Sequence, residues 1–263
     1  MNRRIGNLLR NLGLERHLLD LLFAPFLNNG GECGARNLAT RETWLEKALS
    51  QIPAGSRILD AGAGELQYQR FCKHLDYTSQ DFARYDGKGD KTGLHPGSWD
   101  QSKLDIVSDI VRIPRSEGSF DAVMCIEVLE HVPNPVDALR ELTRLLRPGG
   151  TLIVTAPLCS LAHMSPYFFQ TGFGRSFYDY WLGQFGVAIV DLQWNGNFFE
   201  FLAQELRRLP SVAAGYADST LTEVQQQSLN VLLGALDRFS NNDHGSHELL
   251  SFGLHVLGRK RAT

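Results

Sequence analysis

The stretch SRILDAGAG (56–64) constrains the fold most: a short apolar run that ends in an acid and two spaced glycines. A run of this length closed by a Gly-rich turn reads as a buried strand. Glycines in the turn permit positive φ and let the backbone approach a ligand. Similar runs recur at DYTSQDF (76–82), LDIVSDI (104–110), FDAVMCI (120–126), TLIVTAP (151–157), VAIVDLQW (187–194) and LLSFGLHVLGR (249–259). Strands alternating with helical patterns predict βαβ units and a parallel sheet. Between the fourth and fifth strands, NPVDALRELTRLLRPGG carries its own punctuation. Asn134 can cap a helix, Pro135 suits its first position, Asp137 suits its positive first turn, and Pro148-Gly149-Gly150 stops it.

Three segments exceed a minimal alternating core. Residues 1–50 have a helical pattern and precede the first strand, so we expect an N-terminal helical lid on a single domain of residues 51–263. Residues 83–103 form a long Gly-rich connection. Residues 197–240 read as two helices inserted before the last strand. Such additions are where an α/β core usually acquires its substrate selection. A net charge of −3 supplies no global field for nucleic acid, and charges interrupt every apolar run near the start. No nucleic-acid partner and no membrane insertion are therefore expected. The four cysteines are scattered with no CxxC pair, which favours a reducing, cytoplasmic setting. Cys125 and Cys159 lie in apolar runs and read as core residues.

The ends of the first three strands carry acids in register. Asp60, Gly62, Ala63 and Gly64 form the first turn. Asp81, with Phe82 after it, lies about twenty residues on, where a carboxylate can hydrogen-bond a ribose diol. Asp109, with Ile110, follows the third strand, where a side chain can accept an adenine amine. Each acid alone reads as a loop carboxylate or helix cap; together they point to a nucleoside site.

RILDAGAG, SDIVRIP, GSFDAVMCIEVLEHVPNP and LLRPGGTLIVTAP resemble the successive motifs of class I S-adenosylmethionine-dependent methyltransferases, closely over about residues 55–158 and in outline over 187–260. The resemblance implies a Rossmann-like α/β fold with helices on both faces of a seven-stranded sheet. Its strand order would be 3-2-1-4-5-7-6 with strand 7 antiparallel. It places Gly62 and Gly64 under the methionine part of S-adenosyl-L-methionine, Asp81 on the ribose, Asp109 and Ile110 on the adenine, and Ile126 and Glu127 beside the cofactor. The family's frequent third glycine is Leu66 here.

CIEVLEHVPNP (125–135) sets Glu127, Glu130 and His131 at spacings of three and four. Three readings stay open. The apolar residues anchor a turn whose polar residues cap it or face solvent. Alternatively, His131 is a general base for a hydroxyl nucleophile, oriented by Glu130, with His163 in reserve. In the third, Glu127, Glu130 and His131 bind Mg²⁺ or Mn²⁺ with His163 as a possible fourth ligand, in a segment similar to that of ubiquinone-pathway O-methyltransferases and of small-RNA 3′-terminal methyltransferases. The aromatic run HMSPYFFQTGFGRSFYDYWLGQFG (163–186) suggests an acceptor pocket with Tyr167, Arg175 and Tyr178, joined by Asn195 after the sixth strand. Arg36 or Arg41 can meet the cofactor carboxylate or form a surface salt bridge. The style of the chain resembles bacterial methyltransferases of glycan or secondary-metabolite pathways. The expected function is O-methylation of a small molecule or a sugar or glycan precursor. The alternatives are N-methylation and a non-catalytic S-adenosylmethionine-binding partner protein.

Overall fold

The computed structural model describes residues 31–90 and 92–262. They group into two compact units, one of residues 37–196 and 250–262, the other of residues 31–36 and 197–249.

The larger unit is built on a seven-stranded sheet. Its strands are β1 (Arg57–Ala61), β2 (Asp76–Asp81), β3 (Ile106–Val107), β4 (Phe120–Ile126), β5 (Leu146–Pro157), β6 (Val187–Asn195) and β7 (Gly253–Lys260). Their order is β3-β2-β1-β4-β5-β7-β6, and β7 runs antiparallel to both β5 and β6. The expected topology is the one observed. Helices α1 (Asn37–Ser50), α2 (Pro135–Leu145) and α3 (Arg175–Gln184) cover the sheet. Successive strand residues point to opposite faces, and here both faces are buried. Leu59, Val123, Cys125, Leu152 and Val154 pack with Leu139 and Leu142 of α2 and Leu182 of α3. Their neighbours Ile58, Met124 and Ile153 pack with Trp44, Leu45 and Leu49 of α1. This explains the near-continuous apolar runs: a central strand buried on both faces has no polar side to alternate.

Three boundaries differ from the sequence expectation. β3 keeps only two residues because Asp105 takes the Ser79 N–H at 2.8 Å and the Ser79 hydroxyl at 2.7 Å, displacing the start of the ladder. β5 begins at Leu146 rather than after the glycines, with a register shift between Phe120 and Ala122 that absorbs Arg147–Gly150. β7 begins at Gly253 because Ser246–Glu248 form a turn of 3-10 helix. Cys125 is buried as expected, whereas Cys159 is exposed, because it lies beyond the end of β5. Helix α2 follows its punctuation: Pro135 is the first residue, and the Asn134 side chain accepts the Asp137 N–H.

The smaller unit contains the helical insert as α4 (Phe198–Tyr216) and α5 (Glu223–Asn241). Asn197 caps α4 by accepting the Phe199 and Glu200 N–H groups, and Thr222 with Gln225 forms a capping box on α5. Cys33, Ala203, Leu229, Leu233 and Leu236 make its core. Buried Glu200 accepts the Gly34 N–H at 2.7 Å and pairs with Arg36, so Arg36 has the salt-bridge role of its two sequence options. Most of the expected N-terminal lid lies outside the described residues. Among the described residues, no helix is long and apolar enough to cross a membrane.

Candidate active site

A cavity of about 450 Å³ opens at the carboxyl ends of β1, β2 and β4 in the larger unit. It has the volume expected of a small-molecule or cofactor site. The turn after β1 forms its floor. Gly62 and Ala63 donate their N–H groups to the Gln80 carbonyl at 2.8 and 2.9 Å, which ties the turn to β2. Gly62 has φ +80°, and a Cβ there would lie 2.4 Å from Val128. Gly64 has φ +52°, and its Cβ would lie 2.6 Å from the Trp99 ring. Neither position accepts a side chain, because Val128 and Trp99 already fill the space where one would stand. Leu66, at the place of the family's third glycine, adopts φ +63° despite its side chain.

Asp81 lines the cavity and is held from three sides. Gly64 N–H donates to Oδ2 at 3.0 Å; Ala83 N–H and Gln101 Nε2 each donate to Oδ1 at 3.0 Å. A carboxylate offers about four acceptor directions, so Oδ2 keeps one for a ligand. Phe82, Asp109, Ile110 and Ile126 also line the cavity, with Asp109 exposed and its Oδ1 accepting the Val111 N–H at 3.1 Å. Asp60 does not line it. Its carboxyl is buried and accepts from the Tyr77 hydroxyl at 2.6 Å, and burial raises its pKa to about 7. The alternation of β1 turns this side chain away, so its expected cofactor contact is replaced by support beneath the turn.

On the other wall, Arg41 of α1 meets Glu127 at 3.0 Å, and both line the cavity. Glu127 also accepts the Thr155 hydroxyl at 2.8 Å. Burial works against the Arg41 charge, but Glu127 and Tyr68 beside it hold its pKa up. Of the two arginines considered from sequence, Arg41 is the one at the cavity.

Glu130, His131 and His163 form the third group, each offering a ligand atom within 4.8 Å of the others. His131 Nδ1 lies 2.6 Å from the Tyr167 carbonyl, and His163 Nδ1 lies 2.8 Å from the Leu161 carbonyl. A carbonyl only accepts, so each Nδ1 carries the proton and each Nε2 keeps a lone pair. The rings meet edge to face with centroids 4.7 Å apart. Burial, then His163, lowers the His131 pKa to about 4, so the ring is neutral at pH 7. Glu130 is 1% exposed, its Oε2 has no hydrogen-bond partner, and burial pushes its pKa well up. Its Oε1 stands 3.7 Å from His131 Nε2. The metal set expected from the sequence is therefore altered: Glu127 is engaged by Arg41 and Thr155, and the group keeps Glu130 and His131 with His163, the possible fourth ligand.

The connection of residues 83–103 brings His163 here. Leu94 N–H donates to the Ala162 carbonyl at 3.1 Å and Met164 N–H donates to the Leu94 carbonyl at 2.9 Å. Tyr167 lines the cavity and meets Phe82 edge to face at 4.9 Å. The other three expected acceptor residues lie elsewhere. Tyr178 is fully buried in the core against Phe177, Arg175 is exposed and pairs with Asp179, and Asn195 is bonded to Asn37 at 2.8 Å. Tyr178 lies on the face of α3 that packs into the core, whereas Arg175, the first residue of that helix, reaches out to Asp179. Trp99 and Gln80 line the cavity and were not picked out by sequence. Trp99 sits in an aperiodic loop, and Gln80 reads as an ordinary strand residue.

Residues 59–154 match the methyltransferase domain family. A ubiquinone biosynthesis O-methyltransferase of Dechloromonas aromatica (strain RCB) is 33% identical over 119 residues, 44% of this chain and 49% of that protein. The chain thus spans about half the length of the curated relatives it matches. Among solved structures, the [4+2]-cyclase SpnF superposes with TM-score 0.51 at 18% identity, covering 83% of this chain and 80% of the cyclase. A geranyl diphosphate methyltransferase in complex with SAM superposes with TM-score 0.50 at 12% identity, covering 88% and 91%. At these identities the structures share the fold; the cyclase shows that the fold alone does not fix the chemistry.

Proposed function

We propose, from the premise that residues 59–154 make this a chain of the class I methyltransferase fold, that it transfers a methyl group from S-adenosyl-L-methionine to an oxygen of a small molecule. The residues present fit that cofactor. The two glycines, both at positive φ, form a tight turn along the cavity, and Asp81 retains an acceptor for a ribose hydroxyl. Arg41 and Glu127 offer opposite charges to an amino-acid carboxylate and ammonium. When bound, the cofactor supplies an electrophilic methyl on a sulfonium.

The observation that carries the oxygen reading is His131. Its Nδ1–H is fixed by the Tyr167 carbonyl, which leaves the Nε2 lone pair in the same cavity as the glycine turn. An acceptor hydroxyl donating to Nε2 would lose its proton there as the O–C bond forms and the methyl–sulfur bond breaks, its electron pair staying with sulfur. Such a base contributes typically 10²–10⁴-fold, and positioning of the two reactants about 7–11 kcal/mol. Tyr167, Phe82 and Phe169 would border a planar or ring-shaped acceptor. The curated relatives named as O-methyltransferases support the same atom type.

The test is calorimetry with S-adenosylmethionine and S-adenosylhomocysteine, followed by transfer of labelled methyl to a panel of catechols, phenols, sugars and amines. Oxygen-linked product that disappears in His131→Ala supports the proposal; nitrogen-linked product with His131→Ala active replaces it with N-methylation. Tight cofactor binding with no product across the panel favours a non-catalytic binding protein.

The spacing of Glu130, His131 and His163 favours one second reading, a divalent cation such as Mg²⁺ or Mn²⁺ held by these three. Such an ion would lower the pKa of a bound hydroxyl. Direct titration with Mn²⁺ in the wild type and Glu130→Ala tests it, and turnover that is insensitive to EDTA rejects it.

A further inference from the structure

We infer that the methyl acceptor carries an anionic group, a carboxylate or a phosphate, and that Arg84 is the residue that selects it. The inference rests on the methyl-transfer reading above and adds the charge class of the acceptor to it. Among the described residues that line the cavity, Arg41 and Arg84 are the arginines, and no lysine joins them. Arg41 meets Glu127 at 3.0 Å. Arg84 is exposed, and its guanidinium has no ion pair or hydrogen bond with a described residue.

The cofactor does not account for that charge. S-adenosyl-L-methionine has one anionic group, its carboxylate, and Arg41 beside Glu127 matches the charged end that carries it. What remains is a sulfonium, ribose hydroxyls and a base, none of them negative. The place of Arg84 suits the acceptor instead. In the chain it stands between Phe82 and Tyr85, whose rings meet Tyr167 edge to face with centroids 4.9 and 6.5 Å apart. The Tyr167 carbonyl in turn holds Nδ1 of His131. The loop that carries Arg84 therefore packs against the residue that fixes the proposed base. A guanidinium offers a planar fork that matches two oxygens of a carboxylate or a phosphate. Solvent and salt screen a contact at an exposed side chain, so the discrimination expected of it is modest.

The test titrates matched pairs into the whole chain saturated with S-adenosylhomocysteine: catechol against 3,4-dihydroxybenzoate, and glucose against glucose 6-phosphate. In at least one pair the acidic member is expected to bind about fivefold more tightly, and the pair that responds identifies carboxylate or phosphate. Arg84→Met is expected to cut that ratio to about twofold or less, and Arg84→Lys to keep part of it. Affinity for S-adenosylhomocysteine should stay within about twofold in both variants, which separates acceptor selection from a cofactor contact. A ratio cancels any general loss from the substitution, and thermal melting confirms that each variant folds. The inference is overturned if neither acidic member is preferred, if Arg84→Met keeps the wild-type ratio, or if its cofactor affinity falls in step. Failure of the wild type to bind S-adenosylhomocysteine overturns the cofactor reading instead, and the same pairs titrated without it still read the Arg84 ratio.

Discussion

His131 and His163 stand edge to face, 4.7 Å between ring centroids, each with its Nδ1 on a backbone carbonyl. The two rings come from different loops, yet they present two lone pairs to one side of the cavity. His131 is set against Glu130 and keeps only part of its ring accessible to the cavity, and it is the base in the proposed reaction. His131→Ala is expected to lower kcat by about 10²–10⁴-fold while S-adenosylhomocysteine affinity changes less than about threefold. His163→Ala is expected to cost about tenfold. Steady-state kinetics paired with calorimetry separates the two effects, and an equal loss of cofactor affinity would argue for a structural role instead.

Arg41, which lines the cavity beside Glu127, is the residue expected to reach the carboxylate of the proposed cofactor. Arg41→Met removes it and strands Glu127, so S-adenosylhomocysteine binding should weaken by about 10–100-fold. Arg41→Lys should recover only part of this, because an ammonium cannot reproduce the planar fork. Dissociation constants by calorimetry decide the matter; an unchanged constant for Arg41→Met removes this residue from the cofactor site.

Leu66 holds a left-handed conformation that glycine adopts freely. Leu66→Gly should be neutral or stabilising by up to about 1 kcal/mol, while Leu66→Val should destabilise by about 1–2 kcal/mol through its branched Cβ. Chemical denaturation of the two variants against wild type reads the sign directly. A large loss in Leu66→Gly would show that the side chain packs more than its backbone strain costs.

Asp60 makes stability depend on pH in an unusual direction. Its folded pKa is about 7 against an ordinary 3.8, because burial disfavours the charge. Below pH 3.8 both states hold the proton; between 3.8 and 7 the unfolded chain releases it and the folded chain does not. Stability from this group is therefore lost as pH rises across that window, by up to about 4 kcal/mol. Denaturation of wild type and Asp60→Asn at pH 4.5 and 7.5 should show the wild type losing ground to the variant at the higher pH. A constant difference would mean that Asp60 ionises normally.

Much of the cavity wall around the glycine turn was legible in sequence because it is written in local signals. Gly62 and Gly64 are readable since only glycine suits their turn, and Asp81 since its place follows from the strand that carries it. The strand order followed from the motif resemblance, with strand boundaries blurred wherever a side chain such as Asp105 replaced ladder bonds. The wall that carries the aromatic residues was less legible. Tyr167 reached the cavity and Tyr178, eleven residues further along, did not, although both stand in the same aromatic run.

Sequence by itself determined the doubly covered parallel sheet, its glycine turn and the acids at its strand ends. The sheet is set by short continuous apolar runs, buried on both faces, and the turn by the φ that its glycines permit, both local properties. The tertiary structure decided what those properties leave free. It turned Asp60 under the turn, gave Glu127 to Arg41 rather than to His131, and drew His163 to His131 through the Leu94 bridge. Those pairings join residues far apart in the chain, and their energies depend on burial and on lone pairs left open, which no spacing encodes.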